Sequence, residues 1–292
     1  MTGVLPSQTL RRMIADGRIT AQQPVLPEQV QPSSLDLRLG ATAYRVRASF
    51  LAGEGRKVAD RIGDGYTGPL WAEICPRSFS VLVRPGMRLN QIRFRMGQAA
   101  LDDAELLQLH QSSPLVDKEP VIDGGLGFSV DLMPSNGALV GYRAKPHTGV
   151  IDLDRIGQYD PADYWERLEA TNGQLILDPG AFYILVSREA VTVPPECAAE
   201  MAPYLAMVGE FRVHYAGFFD PGFGHATAGG TGSRGVLEVR CHEAPFVLEH
   251  GQVVGRLVYE RMSEVPDVLY GREIASNYQG QGLKLSKHFR QK

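Results

Sequence analysis

One carboxylate, that of Glu238, stands inside an apolar run of the sequence, GVLEV at positions 235–239. Burial disfavours the charged form of a carboxyl group and raises its pKa, so such a residue destabilises the fold unless it is paired or used. A carboxyl group with a pKa near neutrality can accept a proton from water and return it to a leaving group. Glu238 is therefore a candidate general base. The alternative is a glutamate on the solvent face of an edge strand.

The turn before this strand carries a second carboxylate. Asp220-Pro221-Gly222 is a strong turn signal, and it follows a strand pattern over residues 211–219. The stretch 211–240 therefore predicts two strands joined by a Gly-rich loop. Asp220 either contacts a ligand or caps the turn, and the sequence leaves both interpretations open.

Composition limits the class of protein and its partners. The 292 residues are 43% hydrophobic and 22% charged, with a formal net charge of −3 and no long basic run, which argues against nucleic-acid binding. The absence of any run of about 18 apolar residues and of an apolar signal core predicts no membrane partner and a cytoplasmic location. The 32 Gly and 19 Pro indicate many tight turns and a mainly β fold.

The periodicity along the chain supports that fold class. Residues 6–17 predict an amphipathic N-terminal helix, and 31–40 alternate as a strand does. A short helix is expected within 98–119 and a helical or irregular insertion at 152–172. Further strands are predicted as in a barrel or sandwich, at 68–96, 126–132, 141–145, 174–177, 182–186, 190–193, 211–219, 235–241, 245–248 and 253–260.

The sequence also contains an internal repeat. Ser34-Leu35-Asp36-Leu37 matches Ser129-Val130-Asp131-Leu132 at an offset of 95, whereas Glu73 matches Glu238 at an offset of 165. We therefore predict tandem β-barrel copies over residues 1–120 and 121–292. The first copy is about 70 residues shorter between its opening strand and its glutamate, so it is predicted to be truncated.

These motifs resemble those of a known enzyme family. QPSSLDLRLG at 31–40, Asp220-Pro221-Gly222, the V-L-E strand ending at Glu238 and the segment SNYQGQGLKLSKHF at 276–289 are similar to the long, two-copy form of the dCTP deaminases. The resemblance implies tandem dUTPase-like (β-clip) barrels and hydrolysis of dCTP to dUTP and ammonia, as a hydrolase acting on a cyclic amidine C–N bond. It also implies Mg²⁺ bound with the triphosphate, a homotrimer and no zinc. The H-x-E…P-C-x-x-C signature of zinc deaminases is indeed absent.

The resemblance also implies roles for individual residues. It makes Glu238 the catalytic residue of the second copy and Glu73 that of the first, with no metal ligand among the side chains. We expect Glu238 to act as the base, because the first copy has lost the strands that would wall its pocket. The resemblance implies three sets of substrate-binding residues. Asp220 contacts the sugar, and Val236 and Leu237 lie beside the catalytic glutamate. Tyr270, Asn277 and Gln281 belong to a C-terminal lid that covers the nucleotide.

One motif of the family is missing. Its phosphate-binding R-S-S-x-x-R should precede Gly209, but residues 202–208 read APYLAMV. Arg212, Arg234 and Arg240 are nearby substitutes. Two alternatives therefore stay open: a dUTP or dCTP diphosphatase on the same fold, and an inactive paralogue that only binds nucleotide or partners.

Overall fold

The computed structural model describes residues 2–45, 57–58, 62–63, 66–135, 137–203, 211–214, 217–241, 244–271, 280 and 282–291. Strands dominate these residues, so the mainly β prediction is confirmed. The predicted N-terminal helix is also confirmed, and its apolar face buries Leu10 completely. None of the helices in the described part of the chain is both long and apolar enough to span a membrane.

The elements before residue 120 are short. They are β1 (Gly3–Val4), α1 (Ser7–Ala15), a 3₁₀ turn (Pro27–Gln29), β2 (Leu35–Arg38), β3 (Lys57–Val58), β4 (Leu70–Trp71), β5 (Val81–Leu82), β6 (Arg88–Ile92), β7 (Arg95–Met96) and α2 (Asp103–Ser112).

The elements after residue 120 are longer. They are β8 (Leu126–Ser129), β9 (Leu139–Ala144), β10 (Ile151–Asp152), α3 (Pro161–Tyr164), β11 (Trp165–Glu169), β12 (Gln174–Leu177), β13 (Phe182–Val191), β14 (Cys197–Pro203), β15 (Phe211–His214), β16 (Phe218–Phe219), a 3₁₀ turn (Ala226–Ala228), β17 (Ser233–Cys241), β18 (Phe246–Glu249) and β19 (Val253–Arg261).

Two antiparallel sheets enclose the main core. One has the strand order β11-β9-β13-β17-β15 and the other β16-β14-β19-β8. Side chains from both sheets meet in a single cluster, where Tyr183 and Leu237 of the first contact the same core as Phe128 and Tyr259 of the second. This arrangement follows from strands that alternate apolar and polar residues, since one face of each strand must be removed from water.

A glycine allows a close approach between the two sheets. A Cβ atom on Gly235 would lie 2.3 Å from the ring of Phe128, so only glycine fits at the start of the strand that carries Glu238. Phe128 is fully buried, and its ring also packs edge-on against Phe219 at 6.5 Å between centroids. This packing therefore fixes the position of β17 near its N-terminal end.

The described residues of the N-terminal region form small paired strands instead of a second barrel. β1 pairs with β7 and β2 with β6, each as a two-stranded sheet, and β5 pairs in parallel with β10 of the following region. The predicted equivalence of Glu73 and Glu238 finds no support, because Glu73 follows the two-residue β4 on an exposed irregular segment while Glu238 lies within nine-residue β17. The segment that should complete the first copy includes residues 46–56, which lie outside the described residues.

The division at residue 120 stays a prediction. Leu106 of α2 and the following Leu115 and Val116 are buried in the main core together with residues of β8 to β19. The packing therefore joins the segment before residue 120 to the C-terminal region.

Candidate active site

Glu238 lies in the middle of β17, between two neighbouring strands. Its backbone is in register with Ile184 of β13 on one side and with His214 of β15 on the other. The side chain is half-buried, and burial raises its pKa from 4.5 to about 7. Desolvation is the cause, with no charged neighbour contributing. This is the environment that suits a carboxyl group for proton transfer near neutral pH.

The face of β17 that carries Glu238 points away from the main core. Val236, Glu238 and Arg240 are half-buried on this face, whereas Leu237 and Val239 are fully buried on the other. The side chain of Val236 therefore lies on the same face as Glu238, and its contact with substrate stays a prediction. Leu237 keeps only its backbone for a ligand, because its side chain belongs to the main core.

A second apolar cluster covers this face of the sheet. Its buried members, which we call the cover cluster, come from several distant segments: Phe79, Ile151, Tyr164, Trp165, Ile184, Leu285 and Phe289. Val236 packs against it. The rings of Phe79 and Trp165 meet edge-on at 5.0 Å between centroids, and Phe289 lies 5.9 Å from Trp165. Aromatic side chains therefore shield the sheet face beside Glu238 from water.

Arg240 is a cation on the same face, two residues beyond Glu238. Its pKa is lowered by burial first and by the charge of Arg77 second. Its buried Nε has no hydrogen-bond partner among the described atoms. An unsatisfied guanidinium nitrogen is costly to bury, which sets Arg240 apart from a fully solvated surface arginine. The other two arginines differ: Arg234 donates to Asp131 at 2.6 Å, and the side chain of Arg212 lies outside the described residues.

Asp220 is buried, with 6% of its surface exposed. Burial raises its pKa, and the nearby guanidinium of Arg93, 3.9 Å away, opposes that effect. One carboxylate oxygen of Asp220 accepts a hydrogen bond from the hydroxyl of Ser33. Asp220 therefore has protein partners of its own, which the sequence did not reveal. The contact with a sugar that we predicted for it stays a prediction.

The turn after Asp220 carries the first predicted lid residue. The backbone N–H of Tyr270 donates to the carbonyl of Pro221 at 2.9 Å, and the N–H of Gly222 donates to Val193 at 2.9 Å. The ring of Tyr270 lies 5.8 Å from that of Phe223, between centroids. Tyr270 is thus seated on the Asp220–Gly222 turn.

The C-terminal segment returns to the strand of Glu238. The N–H of Gly280 donates to the hydroxyl of Ser233, the first residue of β17, at 2.7 Å. Leu285 and Phe289 are then buried in the cover cluster, and the backbone N–H of Gly157 donates to the carbonyl of Lys287 at 3.0 Å. Asn277 and Gln281 lie outside the described residues, so their contacts stay predicted. The segments on both sides of them touch elements of the site.

The segment that carries Glu73 continues into the cover cluster. Six residues after Glu73, Phe79 is buried in the cover cluster, and Val81 pairs with Ile151. Glu73 itself is exposed. Glu238, by contrast, is half-buried within β17.

Sequence reasoning missed a buried charge network that joins the two regions. Arg93 is 7% exposed overall, and its guanidinium donates to Glu260 at 3.1 Å and to Ser33 at 2.9 Å. Arg95 also pairs with Glu260. The alternation Ile92-Arg93-Phe94-Arg95 places a charge among apolar residues, as GVLEV does for Glu238, and that pattern was the available signal.

The described residues contain no group of three His, Cys, Asp or Glu side chains that could hold a metal ion. The Mg²⁺ expected with a bound triphosphate stays a prediction; phosphate oxygens commonly coordinate that ion.

Comparisons with known proteins agree with this description. The family model for the C-terminal domain of 2'-deoxycytidine 5'-triphosphate deaminase matches residues 102–289. The model for its N-terminal domain matches in two pieces, residues 1–64 and 57–98. The crystal structure of the 2'-deoxycytidine 5'-triphosphate deaminase from Agrobacterium tumefaciens is similar over 89% of this chain and 99% of that chain, with 47% sequence identity and a TM-score of 0.83.

Curated relatives point the same way. A "dCTP deaminase, dUMP-forming" from Clavibacter michiganensis subsp. michiganensis is 34% identical over 142 residues, which are 45% of this chain and 66% of the relative. The dCTP deaminase of Haloarcula marismortui is 30% identical over 200 residues, 64% of this chain and 93% of the relative. The chain thus spans just under two thirds of the Clavibacter relative's length.

The fold and these matches define a deaminase class built on a dUTPase-like β fold. The chain belongs to the dCTP deaminase family.

Proposed function

We propose that this chain hydrolyses dCTP to ammonia and a deoxyuridine nucleotide, with Glu238 as the general base. The observation that supports the proposal most is the pKa of about 7 that burial gives to Glu238. In the proposed step, Glu238 takes a proton from the water that attacks C4 of cytosine. It then delivers that proton to the amino nitrogen, so that the C–N bond breaks and ammonia leaves, while the remaining proton of the water moves to N3 as the C4 carbonyl forms. Water and dCTP are consumed, and no zinc takes part.

The remaining predicted residues would hold the nucleotide around this base. Val236 and the backbone of Leu237 flank Glu238, and Tyr270, Asn277 and Gln281 would cover the substrate. Asp220 would contact the sugar. Mg²⁺ would accompany the triphosphate. Arg240 is well placed to contribute positive charge, since this half-buried residue lies two positions from Glu238 on the same face.

A second candidate activity is release of pyrophosphate as well as ammonia, with dUMP as product. Two relatives favour it, since the similar proteins of Clavibacter michiganensis and Pseudarthrobacter chlorophenolicus are both dUMP-forming dCTP deaminases. An inactive, nucleotide-binding paralogue is the third possibility, because residues 202–208 lack the phosphate-binding motif.

One assay separates these functions. The purified chain is incubated with dCTP and Mg²⁺, and ammonia, dUTP, dUMP and pyrophosphate are measured separately. Ammonia with dUTP indicates a deaminase, ammonia with dUMP and pyrophosphate indicates the dual activity, and pyrophosphate without ammonia indicates a diphosphatase. The absence of all products, with dCTP binding detected by calorimetry, would establish the inactive paralogue.

Two matched substitutions identify the base. Glu238→Gln should lower kcat by about 10²-fold or more, as expected for loss of a general base. Glu73→Gln should change kcat much less, because Glu73 is exposed. An inactive Glu73→Gln beside an active Glu238→Gln would refute the assignment of the base.

We also propose that the chain self-associates, as a homotrimer, in the cytoplasm. Ile176 and Val247 support a contact between subunits, because they are cross-strand neighbours in the β12–β18 pair and are 62% and 48% exposed. Adjacent exposed apolar side chains of this kind favour an interface. Analytical ultracentrifugation tests the trimer, and Ile176→Lys should weaken it. A monomer at micromolar concentration would contradict the proposal.

A further inference from the structure

A fully buried guanidinium connects the N-terminal region to the C-terminal core. The side chain of Arg93 has 0% exposure in its ion pair with Glu260. It also donates to the carbonyl of Ala199 at 3.1 Å, and its Cζ lies 4.0 Å from the ring centroid of Phe218. A buried charge is tolerated only where its partners surround it, so these contacts hold the guanidinium in one position.

Ser33 transmits that position to Asp220. The Ser33 hydroxyl is fully buried, accepts a hydrogen bond from Arg93 at 2.9 Å, and donates to a carboxylate oxygen of Asp220. Arg93 also lies 3.9 Å from that carboxylate. The hydroxyl therefore joins a fixed cation to the first residue of the Asp220–Gly222 turn.

The same turn is hydrogen-bonded to the backbone of Tyr270. Pro221, next to Asp220, accepts the backbone N–H of Tyr270 at 2.9 Å, and the turn is fixed from the other side by the bond from Gly222 to Val193 at 2.9 Å. A Cβ atom on Gly222 would lie 3.0 Å from the carbonyl oxygen of Tyr270, so the two backbones are in close contact. A shift of Asp220 would therefore move the backbone on which Tyr270 rests.

We propose that Ser33 and Arg93 are positioning residues for the nucleotide site, which act by holding the Asp220–Gly222 turn and through it Tyr270. The N-terminal region would then contribute to the site of the C-terminal region without touching substrate. The inference deepens the proposed function and rests on it for its kinetic consequences. Its structural part, the coupling of Ser33 to Tyr270, can be tested without any activity.

The chain provides a closely matched control in the next residue. Ser34 is also fully buried, but its hydroxyl has no hydrogen-bond partner among the described atoms. Ser33→Ala and Ser34→Ala remove the same oxygen atom from adjacent buried positions. Only Ser33→Ala breaks the connection to Asp220. A difference between the two variants therefore reports the connection and not the loss of a buried hydroxyl group.

The first measurement is hydrogen exchange of the backbone amide of Tyr270, followed by mass spectrometry on a peptide that spans residues 268–271. Ser33→Ala should speed exchange at this amide about tenfold, and Ser34→Ala should leave it unchanged. Equal exchange in both variants would overturn the proposal, whether or not the chain is an enzyme. A Ser33→Ala protein that only melts earlier, without faster exchange at Tyr270, would also overturn it.

The second measurement is dCTP–Mg²⁺ affinity by calorimetry in a Glu238→Gln background, where turnover is prevented. Ser33→Ala should raise Kd about tenfold and Ser34→Ala should not. If neither protein binds dCTP, the proposed function fails while the exchange experiment still decides the coupling. If Ser33→Ala does not fold, Asp220→Asn replaces it in the exchange experiment, which is run without nucleotide, because the amide weakens the ionic contact with Arg93 and keeps the shape of the side chain.

Discussion

Glu238→Gln should stabilise the protein at neutral and alkaline pH while it removes the proposed base. Burial raises the pKa of Glu238 from 4.5 to about 7, whereas the unfolded chain keeps the ordinary value. Between these two pH values the folded protein holds a proton that the unfolded chain has released. The free energy of unfolding therefore falls as pH rises from about 4.5 to about 7, and the loss is complete above that range.

The size of this effect follows from the pKa difference. One pKa unit corresponds to about 1.4 kcal/mol, so the ionised Glu238 destabilises the fold by at most about 3 kcal/mol above pH 7. Glutamine has the same shape as the protonated acid and does not titrate. Glu238→Gln should therefore be more stable than the parent by up to about 3 kcal/mol at pH 8, which corresponds to about 5–10 °C in Tm. Near pH 4.5 the two proteins should melt together.

The assay is thermal unfolding of both proteins across pH 4.5–8.5 at constant ionic strength. Glu73→Gln is the control, because it makes the same substitution at an exposed position outside β17. A Glu238→Gln protein that melts at or below the parent temperature at pH 8 would refute the reasoning. So would an identical pH dependence in the parent and in Glu238→Gln, since that result means the carboxyl group is solvated.

Three further predictions test the packing around the site. Phe289→Ala should lower the free energy of unfolding by about 3–5 kcal/mol in chemical denaturation, because Phe289 is 2% exposed in the cover cluster. Gly224→Ala should lower Tm well below that of Gly229→Ala: both glycines have positive φ, but only at Gly224 would the new Cβ atom meet a backbone oxygen, at 2.2 Å. Iodoacetamide should label Cys75, which is exposed, and leave the two buried cysteines unmodified in the folded protein; labelling of more than one thiol per chain would contradict this packing.

The strand of Glu238 was predictable because its sequence alternates strictly. Every second residue of β17 is buried, so the period of two fixes both the strand and the face on which Glu238 lies. The Asp220-Pro221-Gly222 turn was predictable for a similar local reason, since proline and glycine restrict the backbone there and Gly222 has a φ of 97°. The apolar neighbours of Glu238 also indicated that its pKa would be raised.

The partners of Asp220 were not predictable, because they depend on pairing between distant segments. Nothing local to Ser33 or Arg93 indicates which carboxylate they meet. The predicted equivalence of Glu73 and Glu238 rested on a match between short sequence patterns. Such a match could not reveal that Glu238 lies in a long strand and Glu73 on an exposed segment. The cover cluster was missed for the same reason as the network, since Phe79, Trp165 and Phe289 come from three separate parts of the chain.

The bonds that tie the N-terminal region to the core have a consequence for how the protein folds. Ser33 and Asp220 are 187 positions apart, and the bond from Ser7 to Asp267 closes a separation of 260. Such contacts form late, because the entropy of closing a long loop is lost before the contact is gained. The N-terminal region leaves the ribosome long before its partners exist, and its own strands are too short to hold it. We expect it to stay loosely structured, a state in which chaperones commonly protect growing chains. It should dock only after the C-terminal core has formed.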